Sequence, residues 1–238
     1  MATRRKILVT GATGGIGLAL AERLAPRHDV IATGRRDEDK VGALLPENVI
    51  YVRADQADPE AAARDVARAL LKNNWPRLDY AVLNAGIGLA LPPEAETAAQ
   101  VRQTLDVNLT APLLMAHTLF PFLEKAGGQV TFIGSVARKG APGFASYAAS
   151  KAGLHDLARA LRSEWAGRVR VQMLHPGPTM TDMHAKAGFD PGWFGQWFIR
   201  PGDMAGMMEA AIRSGASPLT LSFLQYVSGA SVLGRTIR

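Results

Sequence analysis

Cysteine is absent from the 238 residues, which excludes a disulfide framework and any thiolate metal site. The five histidines, at positions 28, 117, 155, 175 and 184, show no H-E-x-x-H or comparable ligand spacing, so no metal centre is expected. Long apolar runs are also missing. The most apolar stretch, Ala111 to Leu123, is broken by Pro112, His117 and Pro121 and falls short of the ~18 consecutive apolar residues that a membrane span needs. The apolar run behind Arg4, Arg5 and Lys6 is only Ile7-Leu8-Val9, too short for a signal-peptide core. Aromatic residues amount to 7%, and the basic residues come in ones and twos, as at Arg35-Arg36 and Arg138-Lys139. The net charge of +6, from 27 Lys+Arg against 21 Asp+Glu, therefore reads as a solvated basic surface, not a nucleic-acid interface. The expectation is a cytoplasmic protein with neither nucleic acid nor membrane as partner.

What is present is enough apolar material for a sizeable core: 47% of residues are hydrophobic and 20% charged. Short β-branched runs alternate with alanine-rich segments of helical spacing. Strands are expected at Lys6–Thr10, Asp29–Thr33, Asn48–Val52, Asp79–Leu83, Gln129–Gly134, Val169–Leu174 and Leu219–Phe223. Helices are expected at Gly15–Pro26, Pro59–Lys72, Thr97–Lys125, Ser146–Trp165 and Pro201–Ser214, with start and stop signals such as Asp58-Pro59 and Gly127-Gly128. Such alternation implies right-handed crossovers and an α/β fold: a doubly wound parallel sheet of about seven strands with helices on both faces. No composition shift or repeat marks a linker, so residues 1–238 read as a single domain.

The first expected strand runs into Thr10-Gly11-Ala12-Thr13-Gly14-Gly15-Ile16-Gly17 and then a helix. Glycines at a strand-to-helix turn let a ligand approach the backbone, and the free N–H groups of the helix start suit a pyrophosphate. No Lys-Ser/Thr pair follows them, which disfavours a phosphate-transferring P-loop. Gly11, Gly34, Asp55, Asn84, Ser135 and Pro176 each fall just past an expected strand end, the rim where open parallel sheets bind ligands.

The glycine motif, read with Asn84-Ala85-Gly86, Asn108, Ser135, Tyr147-Ala148-Ala149-Ser150-Lys151 and Pro176-Gly177, resembles the short-chain dehydrogenase/reductase family in its order and placement from Thr10 to Thr181. The resemblance implies a Rossmann-like fold and hydride exchange with a nicotinamide dinucleotide. It implies a cofactor cradle from Gly11, Thr13, Gly14, Gly15, Ile16, Gly17, Asn84, Ala85 and Gly86, with Asp55 and Gln56 at the adenine. Gly34-Arg35-Arg36 follows the second strand where a carboxylate would accept from a ribose hydroxyl; arginine there pairs with a 2′-phosphate instead. NADP(H) is thus the expected cofactor, with Arg35 the main contact, Arg36 secondary and NAD(H) the lesser option.

Tyr147 and Lys151 stand i, i+4 on one helix face, so both can act on one ligand. The family likeness makes Tyr147 the general acid/base, Lys151 the cation that lowers its pKa and bonds the nicotinamide ribose, Ser135 the donor to the substrate oxygen, and Asn108 the holder of a water through a distortion of its helix. By the same likeness, Pro176, Gly177, Thr179 and Thr181 clasp the nicotinamide. His175 reads as a packing residue. The segment 181–200, with Phe189, Trp193, Phe194, Trp197 and Phe198 among glycines, reads as a substrate lid.

The substrate is then a small carbonyl or secondary alcohol with an apolar part. The alternatives are a reductase of 3-oxoacyl groups on an acidic carrier protein and a non-catalytic NADP-binding regulator. A homodimer or homotetramer is expected, although the end of the chain, Ser228-Gly229-Ala230-Ser231, lacks the glycine pair that helps family members pack as tetramers.

Overall fold

The computed structural model describes residues 4–183, 187–188 and 192–222. Its strands are β1 (Lys6–Val9), β2 (Asp29–Gly34), β3 (Val49–Arg53), β4 (Tyr80–Leu83), β5 (Gln129–Ile133), β6 (Arg170–Pro176) and β7 (Leu219–Leu221). They form one sheet in the order β3-β2-β1-β4-β5-β6-β7. Every pairing is parallel, with Ile7 opposite Val30 on one side and Tyr80 on the other. The order reverses between β1 and β4, and that switch point opens a crevice at the carboxyl ends of the strands.

The helices are α1 (Gly15–Leu24), α2 (Pro59–Lys72), α3 (Ala98–Leu105), α4 (Ala111–Glu124), α5 (Ala145–Glu164) and α6 (Pro201–Ser214). Strand alternation assigns them to faces. Ile7, Val9, Val30 and Ala32 pack with Leu20 and Leu24 of α1 and Met204 and Met208 of α6. Leu8, Ile31, Val130 and Phe132 point the other way, to Val66 and Leu70 of α2, Met115 and Leu119 of α4, and Leu154 and Leu161 of α5. Burying each such Val, Leu, Ile, Phe or Met side chain stabilises the fold by roughly 1.5–3 kcal/mol. Three polar residues interrupt the pattern on the α6 face. Gln129, Thr131 and Gln172 bond one another at 3.0–3.2 Å, and the two amides donate to the carbonyls of Ala211 and Ile212 in the last turn of α6 and of Ala216 just beyond it.

Local signals set the boundaries. The Asp58 carboxylate accepts from the Ala61 N–H at 3.0 Å ahead of Pro59, and Thr97 forms a reciprocal capping box with Gln100 before α3. One expectation needs correction: Thr97–Lys125 is not a continuous α-helix. A π-helical turn, Asp106–Thr110, divides it, and the Ala111 N–H reaches back to the Asp106 carbonyl. Pro112, which lacks an N–H, follows directly and leaves the carbonyl four residues back without its α-helical donor. Phe223 and the residues after it lie outside those described.

Candidate active site

The loop after β1 forms the floor of the crevice. Gly11 has φ +64°, and a Cβ there would sit 2.7 Å from Ala85 Cα. A Cβ on Gly17 would meet the Gly11 carbonyl oxygen at 2.3 Å and Asn84 Nδ2 at 2.5 Å, so only glycine lets α1 approach this closely. Gly14 faces open space, and no side chain caps the start of α1. The helix therefore presents free N–H groups and its positive dipole end to the crevice. Thr10 joins the two loops, its hydroxyl accepting from the N–H groups of Asn84 and Ala85 at 3.0 Å. Two buried polar atoms on this side, Thr33 Oγ1 and Gln56 Nε2, have no hydrogen-bond partner among the described residues.

Past β2, Arg35 and Arg36 are exposed, and neither makes an ion pair among the described residues. Asp37, the nearest carboxylate, is instead engaged by Lys40 at 3.1 Å and Arg53 at 3.2 Å. Tyr51 donates its hydroxyl to the Arg36 carbonyl at 2.7 Å, which orders the turn. Asp55 is exposed, and its carboxylate accepts from the Ala57 N–H at 3.0 Å, a turn-forming bond.

Past β4, β5 and β6 the groups are partly or fully buried and several are cross-linked. Ser135 caps the short helical turn at Val136–Lys139, its hydroxyl accepting from the Ala137 N–H at 3.1 Å. Lys151, 4% exposed, lies 5.8 Å from the centre of the Tyr147 ring and donates to the Ile133 carbonyl at 2.9 Å. Burial raises the Tyr147 pKa, an effect that the Ser135 side chain opposes, and burial lowers that of Lys151 to about 8. Asn108, in the π turn, is fully buried. It accepts from the Ile87 N–H and donates to the Ile87 carbonyl, both at 2.9 Å, and donates to Ser150 Oγ at 3.1 Å. Ser150 passes the chain on to the Tyr147 carbonyl at 2.7 Å. A Cβ on Gly86 would lie 3.2 Å from Asn108 Oδ1 and 3.4 Å from Lys151 Nζ, so Gly86 keeps this corner open.

Beyond β6, Thr179 is buried, bonds the Gly177 carbonyl at 3.0 Å and is bridged to Ile199. Thr181 reaches the cradle, its Cγ2 being 3.1 Å from a Cβ built on Gly15. Phe189 lies outside the described residues, as does the side chain of Phe194.

A sequence model of the family described as short chain dehydrogenase matches residues 5–191. The chain belongs to that family. Such oxidoreductases act on small-molecule alcohols and carbonyls, and the seven-stranded parallel sheet is theirs. The chain is 36% identical over 182 residues to serine 3-dehydrogenase of Agrobacterium fabrum, covering 74% of this chain and 72% of that one. It is 35% identical over 181 residues to the NADP-dependent 3-hydroxy acid dehydrogenase of Salmonella typhi, covering 72% and 71%. Among solved structures, a putative NAD(P)-dependent gluconate 5-dehydrogenase of Beutenbergia cavernae with bound NADP superposes with a TM-score of 0.81. It is 32% identical and covers 94% of this chain and 97% of that one.

The family member thus has its Ser135, Tyr147, Lys151, Asn108 and glycine-loop positions along one rim. Thr10 opens the glycine motif in the sequence, but its link to the Asn84-Ala85 loop and the orphan hydroxyl of Thr33 have no sequence signal. Sequence reasoning also missed the contact of His175 with His155, since nothing in sequence spacing pairs a helix residue with a strand residue. Among the described residues no helix is long and apolar enough to cross a membrane, and no acidic or histidine cluster could hold a metal ion.

Proposed function

We propose that the protein is an NADP(H)-dependent oxidoreductase that interconverts a carbonyl and a secondary alcohol, with Tyr147 as general acid/base. The observation that carries this reading is the buried Lys151 ammonium 5.8 Å from the centre of the Tyr147 ring, on the same rim as Ser135. The crevice fits a dinucleotide: an uncapped helix start, glycines that tolerate no Cβ, and the orphaned Thr33 and Gln56 atoms all await polar partners. Gly14 to Gly17 would hold the pyrophosphate. Arg35, with Arg36 behind it, would meet a 2′-phosphate, and Asp37 is already neutralised by Lys40 and Arg53. Two of the similar proteins, one named as NADP-dependent and one holding NADP, support that preference. When bound, the nicotinamide supplies the hydride.

The residues of the chain govern the proton. With its pKa raised by burial, Tyr147 is protonated in the free protein and ready to donate to a carbonyl oxygen as that oxygen becomes an alcohol. Lys151, with a pKa of about 8, is charged at neutral pH, and its charge favours the phenolate left behind. Ser135 donates to the developing oxyanion. Asn108 fixes the backbone at Ile87 and, through Ser150, the Tyr147 carbonyl. Asp55 and Gln56 would face the adenine, and Pro176, Gly177, Thr179 and Thr181 the nicotinamide.

Residues 1–238 form one dinucleotide-binding unit in this reading, with 181–200 as a lid. Trp193 and Trp197 are 68% and 51% exposed, apolar surface that closure would bring over the substrate, and Gly188 and Gly192 have φ of +76° and +51°. Hydrogen exchange tests the lid: amides of 183–199 should gain protection with NADP(H) and more with substrate, and equal protection in all states would sink it.

The reaction is tested with a panel of ketones and alcohols followed by cofactor absorbance, using both NADP(H) and NAD(H). Serine, short 3-hydroxy acids and 3-oxoacyl carrier substrates belong in the panel. Absence of turnover throughout would leave only the cofactor-binding regulator.

A further inference from the structure

The edge of the sheet opposite the crevice carries a cavity of about 190 Å³ that hydride transfer does not use. It lies between α1, α6 and the amino ends of β1 and β4. Ile7, Leu24, Val82 and Ile212 line it with apolar surface, each at most 7% exposed. The polar lining is more exposed: Arg5 and His28 stand just ahead of β1 and β2, Tyr80 begins β4, and Arg213 lies in the last turn of α6.

We propose that this cavity is a second ligand site, taking a small monocarboxylate whose apolar body is about the size of one ring. Hydrogen bonding decides the charge of the ligand, because the acceptors at the cavity are already engaged while donors are left over. Asp79 accepts from Arg5 at 3.0 Å and from the Lys6 N–H at 2.9 Å. Glu209, in the cavity lining and 5% exposed, accepts from Arg23 at 2.9 Å and Arg27 at 2.7 Å. Arg4 occupies Asp29 and the carbonyls of Ala25, Pro26 and His28 at the end of α1. Arg213, by contrast, reaches Glu209 only at 3.8 Å and makes no hydrogen bond among the described residues. Arg5 uses Nη1 alone, and the Tyr80 hydroxyl has no partner among those residues. His28 Nδ1 accepts from the Arg5 N–H at 3.4 Å, which leaves the hydrogen of the neutral ring on Nε2.

Three guanidiniums surround the single charge of Glu209, so positive charge is in excess at this edge and a cationic ligand would be repelled. Size sets the body of the ligand. An apolar cavity of ~150 Å³ suffices for benzene, so this one holds a single ring or a branched chain of similar bulk and is too small for a dinucleotide. The carboxylate then meets the Arg5 and Arg213 guanidiniums, whose forked donors match its two oxygens.

Benzoate is the probe, titrated into the full chain with NADPH present and followed by NMR of the Ile7, Leu24, Val82 and Ile212 methyl groups. These signals should shift and saturate with a roughly millimolar Kd, as expected for so few ligand atoms. Benzamide, the same ring without the charge, should bind at least about tenfold more weakly, and Arg213→Gln should weaken benzoate by about tenfold. Glu209 keeps Arg23 and Arg27 in that variant, so the fold should stand. Tyr80→Phe, which deletes one hydroxyl and no ion pair, is the second variant and should weaken benzoate a few-fold. The readout is local and needs no turnover, so it stands apart from the reaction assigned above. Absence of a saturable shift at these methyls, equal binding of benzamide, or unchanged benzoate affinity in both variants overturns the proposal.

Discussion

Past β4, β5 and β6 the rim holds Lys151, Asn108 and His175 at 4%, 0% and 1% exposure, each bonded to backbone or to another side chain. Past β2, Arg35 and Arg36 stand exposed, with no ion pair among the described residues. Both halves lie on the same sheet edge, yet they are built for different tasks. Proton transfer needs groups fixed in low dielectric, where a small displacement or one unsatisfied bond is costly. Selecting a phosphate needs only charge at the correct place, and mobile arginines provide it with bidentate donors while remaining hydrated. Changes in the buried half should therefore be large and insensitive to salt, and changes in the exposed half smaller and salt-dependent.

The largest effect is expected from Tyr147→Phe, which removes one hydroxyl from the buried half. Hydride transfer should fall by ~10² to 10⁴ while NADPH affinity stays nearly constant; retention of most activity would break the assignment. Next comes acid stability. The His175 pKa, about 4 in the fold, lies below its ordinary 6.5, so the unfolded chain takes up that proton first as pH falls. The stability it contributes is fully present above pH 6.5 and is lost progressively down to about pH 4, on the order of 3 kcal/mol. Urea denaturation at several pH values, compared with His175→Asn, isolates this part; a pH-independent difference between the two proteins would mean the ring is not held neutral. Smallest is Arg35→Ala in the exposed half. Charge-assisted bonds contribute about 1.5–3 kcal/mol, so the NADPH over NADH preference should drop by roughly tenfold or more. Added salt should erode the same preference in the unmodified protein, and equal affinities for the two cofactors at the outset would contradict the phosphate reading.

The strand order of the chemistry was legible because motif and geometry coincide. Gly11, Asn84 and Ser135 sit past strand ends and Pro176 is the last residue of β6, and hydrophobic runs such as Ile7-Leu8-Val9 mark those strands without help from tertiary context. The i, i+4 pair of Tyr147 and Lys151 follows from helical spacing alone. The π turn had no signal in periodicity, since Thr97–Lys125 carries one continuous helical pattern, and Asn108 entered only through family likeness. Asp55 shows the reverse problem: an Asp after a strand suits both a turn and an adenine contact, and its bond to Ala57 is the one the free protein makes. The histidine pair was invisible because α5 and β6 meet only once the sheet is assembled.

The π turn has a consequence for descent. Its shape is a matter of chain length, one residue more than an α turn requires, and not of any side chain alone. Replacing Asn108 removes an amide but leaves the residue count untouched, so the turn has no smooth route back to an ordinary helix by substitution. Losing one residue between Asp106 and Thr110 would restore helical bonding and rotate all of α4 by about 100°, carrying Met115 and Leu119 out of the core they now fill. The turn is therefore held by residue count: a deletion that removed it would take the α4 core contacts with it, whereas a substitution at Asn108 would leave the count unchanged.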